Sequence, residues 1–374
     1  MRWPPLTWLV VSGVLALGAC SAQTDSNGAL TGVAPSGGET GFTSLSALRV
    51  AALTTPRFVP GAVQPDRRKS WMTADAKAKS GPLLYVGDWR TEDVDVFSGW
   101  PQKPTQVGTL TGFSLPYGMC VDTKGDVFVA NFGTYTTFEY ARGGTSPINT
   151  YTTSDYPIGC SVSAKGDVAI TDYEGDNTGG EVCIFPHGKS GGRCVENNNT
   201  ACYYLWPFGY DPNGNLIGEG EYSTIHVCEI PAGGSQMIAL KHKGVKILFA
   251  GSTSWDGKYI ALGDQEAGGY QETGIWDVTL SGTALTPVAK EYEFTDDCYE
   301  SQADVVVPFF TAKQNITPAT KAQATGMLGA DDACYDNTGT PKVAQWAYPP
   351  GGLPGYGMTS GFREPLAAAL SLPK

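Results

Sequence analysis

The chain has 374 residues, enough for one large domain and a tail, with 48 Gly, 25 Pro and only 17% charged residues; that mix suits many short strands joined by tight turns. A formal net charge of −12 at pH 7 repels a polyanion, so nucleic acid is not an expected partner. The only histidines are His187, His226 and His242, and none has a recurring acidic partner in sequence, so no Ser-His-Asp set can be assembled.

Among the first twenty residues Arg2 is the only charged side chain. The apolar run Leu9-Val-Val-Ser-Gly-Val-Leu-Ala-Leu17 is too short to span a membrane as a mature helix and reads as the h-region of a signal peptide. Leu17-Gly18-Ala19-Cys20 follows, and it resembles a bacterial lipobox, Leu-small-small-Cys. The resemblance implies removal of residues 1–19 and lipidation of Cys20 on its thiol and new amino terminus. The expected product is an exported lipoprotein of the cell envelope, periplasmic or surface-facing, bound to the membrane through its anchor. Ser21 follows the Cys, so the Asp of an inner-membrane retention signal is absent. Residues 20–80 are rich in Ser, Thr, Gly and Ala and read as a flexible tether. Arg67-Arg68-Lys69 lies inside it as a solvated charge cluster.

Residues 81–374 are expected to form a single β domain. Leu83–Asp88 and Asp93–Phe97 make an incomplete first unit. Pro116-Tyr-Gly-Met-Cys-Val-Asp-Thr-Lys-Gly-Asp-Val-Phe-Val-Ala-Asn131 then returns as Pro157-Ile-Gly-Cys-Ser-Val-Ser-Ala-Lys-Gly-Asp-Val-Ala-Ile-Thr-Asp172, a shift of 157 − 116 = 41 residues without a gap. A repeat of about 40–50 residues with alternating strands and Gly turns marks a β-propeller blade. A fourth unit begins near Phe208, and a fifth contains Ser254–Asp264. A degenerate sixth runs from Val305–Phe310 through Lys342–Tyr348. The weak patterning of residues 295–340 leaves room for a seventh. Unit one lacks an innermost strand, and the tail Arg363–Leu372 can supply it, closing the ring by pairing the chain's ends.

Pro-x-Gly-x-x-x-Asp-x-x-Gly-Asp-Val-Phe-Val-Ala-Asn resembles NHL-type six-bladed propellers and uncharacterised exported bacterial propeller lipoproteins. The resemblance rests on Gly118, Gly125, Gly159, Gly166, Gly209 and Gly214. The third unit departs from it at Ser163, where the second has Asp122. NHL-like folds include binding scaffolds, lactonases and lyases, so the fold does not select among them.

Beyond Cys20 eight cysteines remain, an even number that suggests disulfides in an exported chain. Eight cysteines allow 105 connectivities; Cys183 and Cys194, which flank a turn-rich hairpin, and Cys298 and Cys334, which share a local context, are two candidate pairs.

Propeller topology sends two kinds of loop to one face. Asp88-Trp89, Asn131-Phe132, Asp172-Tyr173, Glu219 and Asp264 begin one kind, and Tyr117 and Phe208 lie in the other. Acidic or amide groups alternating with rings are expected to line a funnel there, although an Asp after a strand commonly caps its own loop. The ligand so implied is a protein, peptide or carbohydrate, bound by a monomer. No cofactor is expected. Asp172, Glu174 and Asp176 offer a weak Ca²⁺ site without EF-hand spacing. His226, after Glu219 and Glu221, is a remote candidate for a general base. The sequence therefore reads as a noncatalytic binding module. The alternative is a lactonase-like, metal-assisted hydrolase or lyase, for which Glu219, Asn131 and Asp172 would supply ligands.

Overall fold

A computed structural model of the chain describes residues 69–77, 81–174, 179–197, 200–267, 272–295, 303–309, 326–331, 342–348, 356–358 and 362–373. All lie within the compact unit Ser46–Lys374. Cys20, Asp176, Cys298 and Cys334 lie outside the described residues.

The described residues form six antiparallel sheets. The second sheet is a simple meander, Pro116–Val121, Val127–Asn131, Thr136–Tyr140 and Pro147–Thr152. The third repeats it with Pro157–Val162, Val168–Asp172, Glu181–Phe185 and Arg193–Glu196. The inner strands of sheets four, five and six are Gly209–Tyr210, Ala250–Trp255 and Ala303–Phe309. In the first sheet the innermost strand is the tail, Pro365–Ser371, paired antiparallel with Leu83–Asp88. Each inner strand lies against the next, from Pro116–Val121 round to Pro365–Ser371 and back. The result is a closed ring, a β-propeller, whose first sheet joins the two ends of the chain as the sequence predicts.

Ring packing explains the repeated glycines. A Cβ on Gly118 would stand 2.1 Å from the Ile158 carbonyl oxygen, and one on Gly209 would stand 2.4 Å from that of Thr253. Each Pro-x-Gly glycine thus lets one inner strand approach the next at the crowded centre. The second glycine of the repeat serves the hairpin. Gly125, Gly166 and Gly214 all have φ between +82° and +88°, a region that costs other residues strain. The same turns explain Ser163. Asp122 accepts from the Lys124 and Asp126 amides, both at 2.8 Å. The Ser163 hydroxyl accepts from the corresponding Lys165 and Asp167 amides at 3.2 and 3.0 Å. The substitution preserves an acceptor rather than a charge.

Sheet interfaces are apolar. Leu84 and Val86 in the first sheet pack with Ala368 of the tail and Val343 of the sixth sheet. Full burial of each such side chain contributes about 1.5–3 kcal/mol. The first sheet also gains an outer strand, Trp71–Met72, paired with Thr109 and Gly108, and a short helix follows at Ala74–Lys77. The sequence reading assigned these residues to the tether. Met72 and Ala76 instead join the buried core of Leu83, Val107 and Leu110.

Among the described residues three disulfides reinforce the ring. Cys183–Cys194, one of the two candidate pairs, joins register-paired neighbours within the third sheet. Cys120–Cys160 links the inner strands of sheets two and three, and Cys202–Cys228 ties a short helical turn to the fourth sheet. Disulfides indicate an oxidising, extracellular or periplasmic compartment. Among the described residues no helix is long and apolar enough to cross a membrane.

Candidate functional site

In the first, second, third and fifth sheets the second strand ends at or near the point where its inner strand begins. Asp88 pairs with Pro365, Asn131 with Pro116, Asp172 with Pro157 and Asp264 with Ala250. The acidic and amide residues of the expected funnel therefore do occupy one end of the propeller. They do not line an open funnel. Asp88, Asn131, Asp172, Glu219 and Asp264 are all 2% exposed or less. Most of them tie down incoming loops, because backbone N–H groups there need acceptors. Asp88 accepts from the amides of Arg90, Thr91, Arg363 and Glu364. Asn131 accepts from Ser114, Asp264 from Leu248 and Phe249, and Glu219 from Gly251.

Asp172 differs. Burial first, and then the Glu181 and Asp155 carboxylates, push its pKa well up, against hydrogen bonds from the Thr153 hydroxyl and the Asp155 amide that pull it down. A buried carboxyl in that setting holds its proton. Burial does the same to Glu219.

The rings form the second layer of this end. The residue after each acid donates its amide to the residue before the inner strand: Trp89 to Glu364, Phe132 to Leu115, Tyr173 to Tyr156. This bond extends each strand pair by one step and delivers the ring to a shared cluster. Trp89 meets Tyr117 at 5.8 Å and Phe132 at 5.6 Å, and Phe132 stacks on Tyr156 at 4.7 Å. Tyr135 continues this arc edge-on to Tyr156 at 5.1 Å. A second arc starts from Tyr173, stacked on Tyr204 at 5.3 Å and edge-on to Trp206 at 6.2 Å. Tyr203 packs on Tyr204 at 5.0 Å and on Tyr222 at 5.3 Å. One apolar cluster of Tyr117, Phe132, Ile158, Tyr173 and Leu366 underlies both arcs.

Tyr117, Phe132 and Tyr173 form a buried floor, at 2–3% exposure. The outer rings present surface, Tyr222 at 60% and Tyr135 at 38%. Phe208 is elsewhere, in the core of sheets three and four with Tyr210 and Leu216. Its expected place is filled by Trp206. The sequence held a signal for this, because the residue before each Pro-x-Gly is apolar or aromatic: Leu115, Tyr156 and Trp206.

Glu174 follows Tyr173 in the chain, and its charge helps raise the hydroxyls of Tyr173, Tyr204 and Tyr156. Half-buried, its own carboxyl is pushed up by burial. Glu221 also helps raise Tyr173 and Tyr204. Arg90, at the same end, is held by Glu364 at 2.7 Å.

Of the expected Ca²⁺ set, Asp172 is buried at a strand end, Glu174 follows it by two residues, and Asp176 lies outside the described residues. Among the described residues Glu181, Cys183 and Cys194 are the one group with potential metal ligands within 4.8 Å of one another, and the disulfide removes both thiolates. His226 pairs in register with Gly220, so its ring projects from the face opposite Glu219 and Glu221. It meets His242 at 6.1 Å. His187 sits in an exposed turn, 3.0 Å from the Lys165 carbonyl.

No family model matches the sequence, and no curated protein matches it. Solved structures resemble the fold. A chain from the nidogen–laminin complex aligns with TM-score 0.55 and 10% identity, covering 79% of this chain and all of its own length. TolB from Acinetobacter baumannii aligns with TM-score 0.51 and 14% identity over 78% of this chain and 67% of its own. A protein of unknown function from Bacteroides caccae gives 0.50 and 13% over 78% and 99%. The chain is thus similar to β-propellers, and at these identities the similarity is one of fold.

Proposed function

We propose that the protein is a noncatalytic binding module of the cell envelope, held by lipid on Cys20 and engaging its ligand through the aromatic end of the propeller. The observation that carries the reading is the continuous array from Trp89 to Tyr222, buried at its floor and exposed at its edges. Stacked rings offer large, rigid contact area at low conformational cost. The Pro-x-Gly and Asp-x-x-Gly repeats favour the narrower NHL type, and the disulfides fit an exported chain.

Hydrogen exchange on the full-length protein, with pools of short peptides and oligosaccharides, tests the reading. Protection is expected in the loops at 89–92, 132–136, 153–156 and 203–206. Protection confined to the opposite end, or chelator-sensitive turnover of a lactone or ester, overturns it. An unmodified Cys20 in the mass of the mature chain overturns the anchor.

A further inference from the structure

Glu181, Cys183 and Cys194 meet on one face of the third sheet. Glu181 and Cys183 are alternate residues of the strand Glu181–Phe185, so their side chains project the same way. Cys194, on the outer strand Arg193–Glu196, is the register partner of Cys183, as Glu196 is of Glu181. Both sulfurs and a carboxylate oxygen of Glu181 lie within 4.8 Å of one another, with Cys183 Sγ 3.6 Å from Glu181 Oε1. The Ser154 hydroxyl donates to that same oxygen and so holds the carboxylate beside the sulfurs. A tetrahedral zinc ion keeps sulfur and oxygen ligands about 3.6–3.8 Å apart. Facing strand positions, with Cβ atoms about 4.5–5.5 Å apart, can supply two sulfurs at that spacing. Position also sets this disulfide apart. Cys194 is exposed on the outer strand, whereas Cys202 and Cys228 are fully buried and Cys120–Cys160 lies between inner strands. Thiol–disulfide exchange needs access to one sulfur, and Cys194 offers it.

We propose that Cys183–Cys194 is the oxidised state of a zinc site: a dithiol reductant opens the pair, and the two thiolates then bind Zn²⁺ together with the Glu181 carboxylate. A thiolate of the reductant attacks Cys194 Sγ; the Sγ–Sγ bond breaks, and its electron pair leaves on Cys183 Sγ, which takes a proton. The reductant's second thiol attacks the mixed disulfide, releases Cys194 as a thiol and leaves as the reductant's own disulfide. Two electrons and two protons thus pass to the protein. Zn²⁺ displaces both thiol protons on binding, and water completes the tetrahedron. The Glu181 carboxylate disfavours thiolates beside it, and the metal's charge offsets that repulsion, so zinc and reduction support each other. Thiolate ligands select Zn²⁺ over Ca²⁺ and Mg²⁺, which take all-oxygen sets. The site stands apart from the aromatic end and does not depend on that end being a binding face.

The test compares the full-length protein before and after limited reduction by a phosphine without oxygen. Differential alkylation is expected to label Cys183 and Cys194 while Cys202–Cys228 stays intact. Co²⁺, a coloured stand-in for Zn²⁺, is then titrated. The reduced protein is expected to bind it with thiolate charge-transfer absorption, and to release it to Zn²⁺ but not to Ca²⁺. Oxidised protein and a phosphine-treated Cys183→Ser, Cys194→Ser double variant are expected to lack this uptake. The difference between wild type and the double variant reads the site alone. Glu181→Gln, which keeps the shape and removes the charge, is expected to retain the absorption and weaken Co²⁺ about tenfold. Zn²⁺ is expected to raise the melting temperature of the reduced wild type and not that of the double variant. Uptake by reduced wild type no greater than by the double variant, or equal uptake by oxidised protein, overturns the proposal. Unchanged affinity in Glu181→Gln overturns the three-residue site. A reduced wild type that loses its cooperative melt and does not regain it with Zn²⁺ overturns it as well, whatever its cysteines bind when unfolded.

Discussion

At the scale of single residues, buried carboxyls set how this protein responds to pH. Tyr348 places its hydroxyl against both Asp256 and Asp277, at the junction of sheets five and six. One hydroxyl proton serves one of these contacts, so the other requires a proton on a carboxyl. Burial pushes Asp277 up to about 7 and, with Asp264 beside it, Glu291 up to about 8. An unfolded carboxyl releases its proton near 4. The folded chain therefore binds more protons than the unfolded chain between about 4 and 8, and stability falls as pH rises through that window. Below it the contribution is complete. Thermal denaturation at pH 5 and pH 8 is expected to show the higher melting temperature at pH 5. Asp277→Asn, which mimics the protonated group, is expected to shrink the stability difference between pH 5 and pH 8, read by chemical denaturation, by roughly 1–3 kcal/mol. A melting temperature that rises across the window would contradict this assignment.

At the scale of strands and turns, two of the three described disulfides do different work. Cys120–Cys160 spans 40 residues and couples two sheets, whereas Cys183–Cys194 spans 11 within one. Loop-closure entropy assigns about 4 kcal/mol to the first and about 3 kcal/mol to the second. Paired Cys→Ser replacements, followed by chemical denaturation, are expected to rank in that order. The reverse ranking would show that the link between sheets adds no more than the local staple. Element scale is also where the sequence was most legible. Pro-x-Gly and Asp-x-x-Gly report local requirements, a close approach and a positive φ, so they recur wherever the backbone does. Asp88 was harder to read. Two of its amide donors come from Arg363 and Glu364, 275 and 276 residues away, so nothing near it in the chain separates a cap from a ligand group. Tyr203 and Tyr222 were missed for a related reason. Tyr203 precedes the strand Tyr204–Leu205 and Tyr222 follows the strand Leu216–Glu221, outside the repeated Pro-x-Gly and Asp-x-x-Gly segments, so periodicity could not mark them. Phe208 was misplaced by two positions because Pro-x-Gly drew attention to the strand rather than to the residue preceding it.

At the scale of the whole molecule, the ring depends on its last strand. Pro365–Ser371 covers the edge of Leu83–Asp88 and seals Leu84 and Val86 against Val343. Truncation after Phe362 is expected to leave an open sheet edge and apolar surface. Gel filtration should show higher-order species, and the melting transition should lose its sharpness. A truncated chain that stays monomeric and melts cooperatively would mean that the other sheets close without it.

The same pairing orders events in time. Asp88 and Pro365 are partners separated by 365 − 88 = 277 residues, and joining points that far apart costs chain entropy of about 5 kcal/mol before any contact offsets it. The strands made first must wait for the residues made last. Until the tail arrives, the first sheet is an unfinished template, so the period between export and closure is when this chain is most vulnerable to pairing with a neighbour.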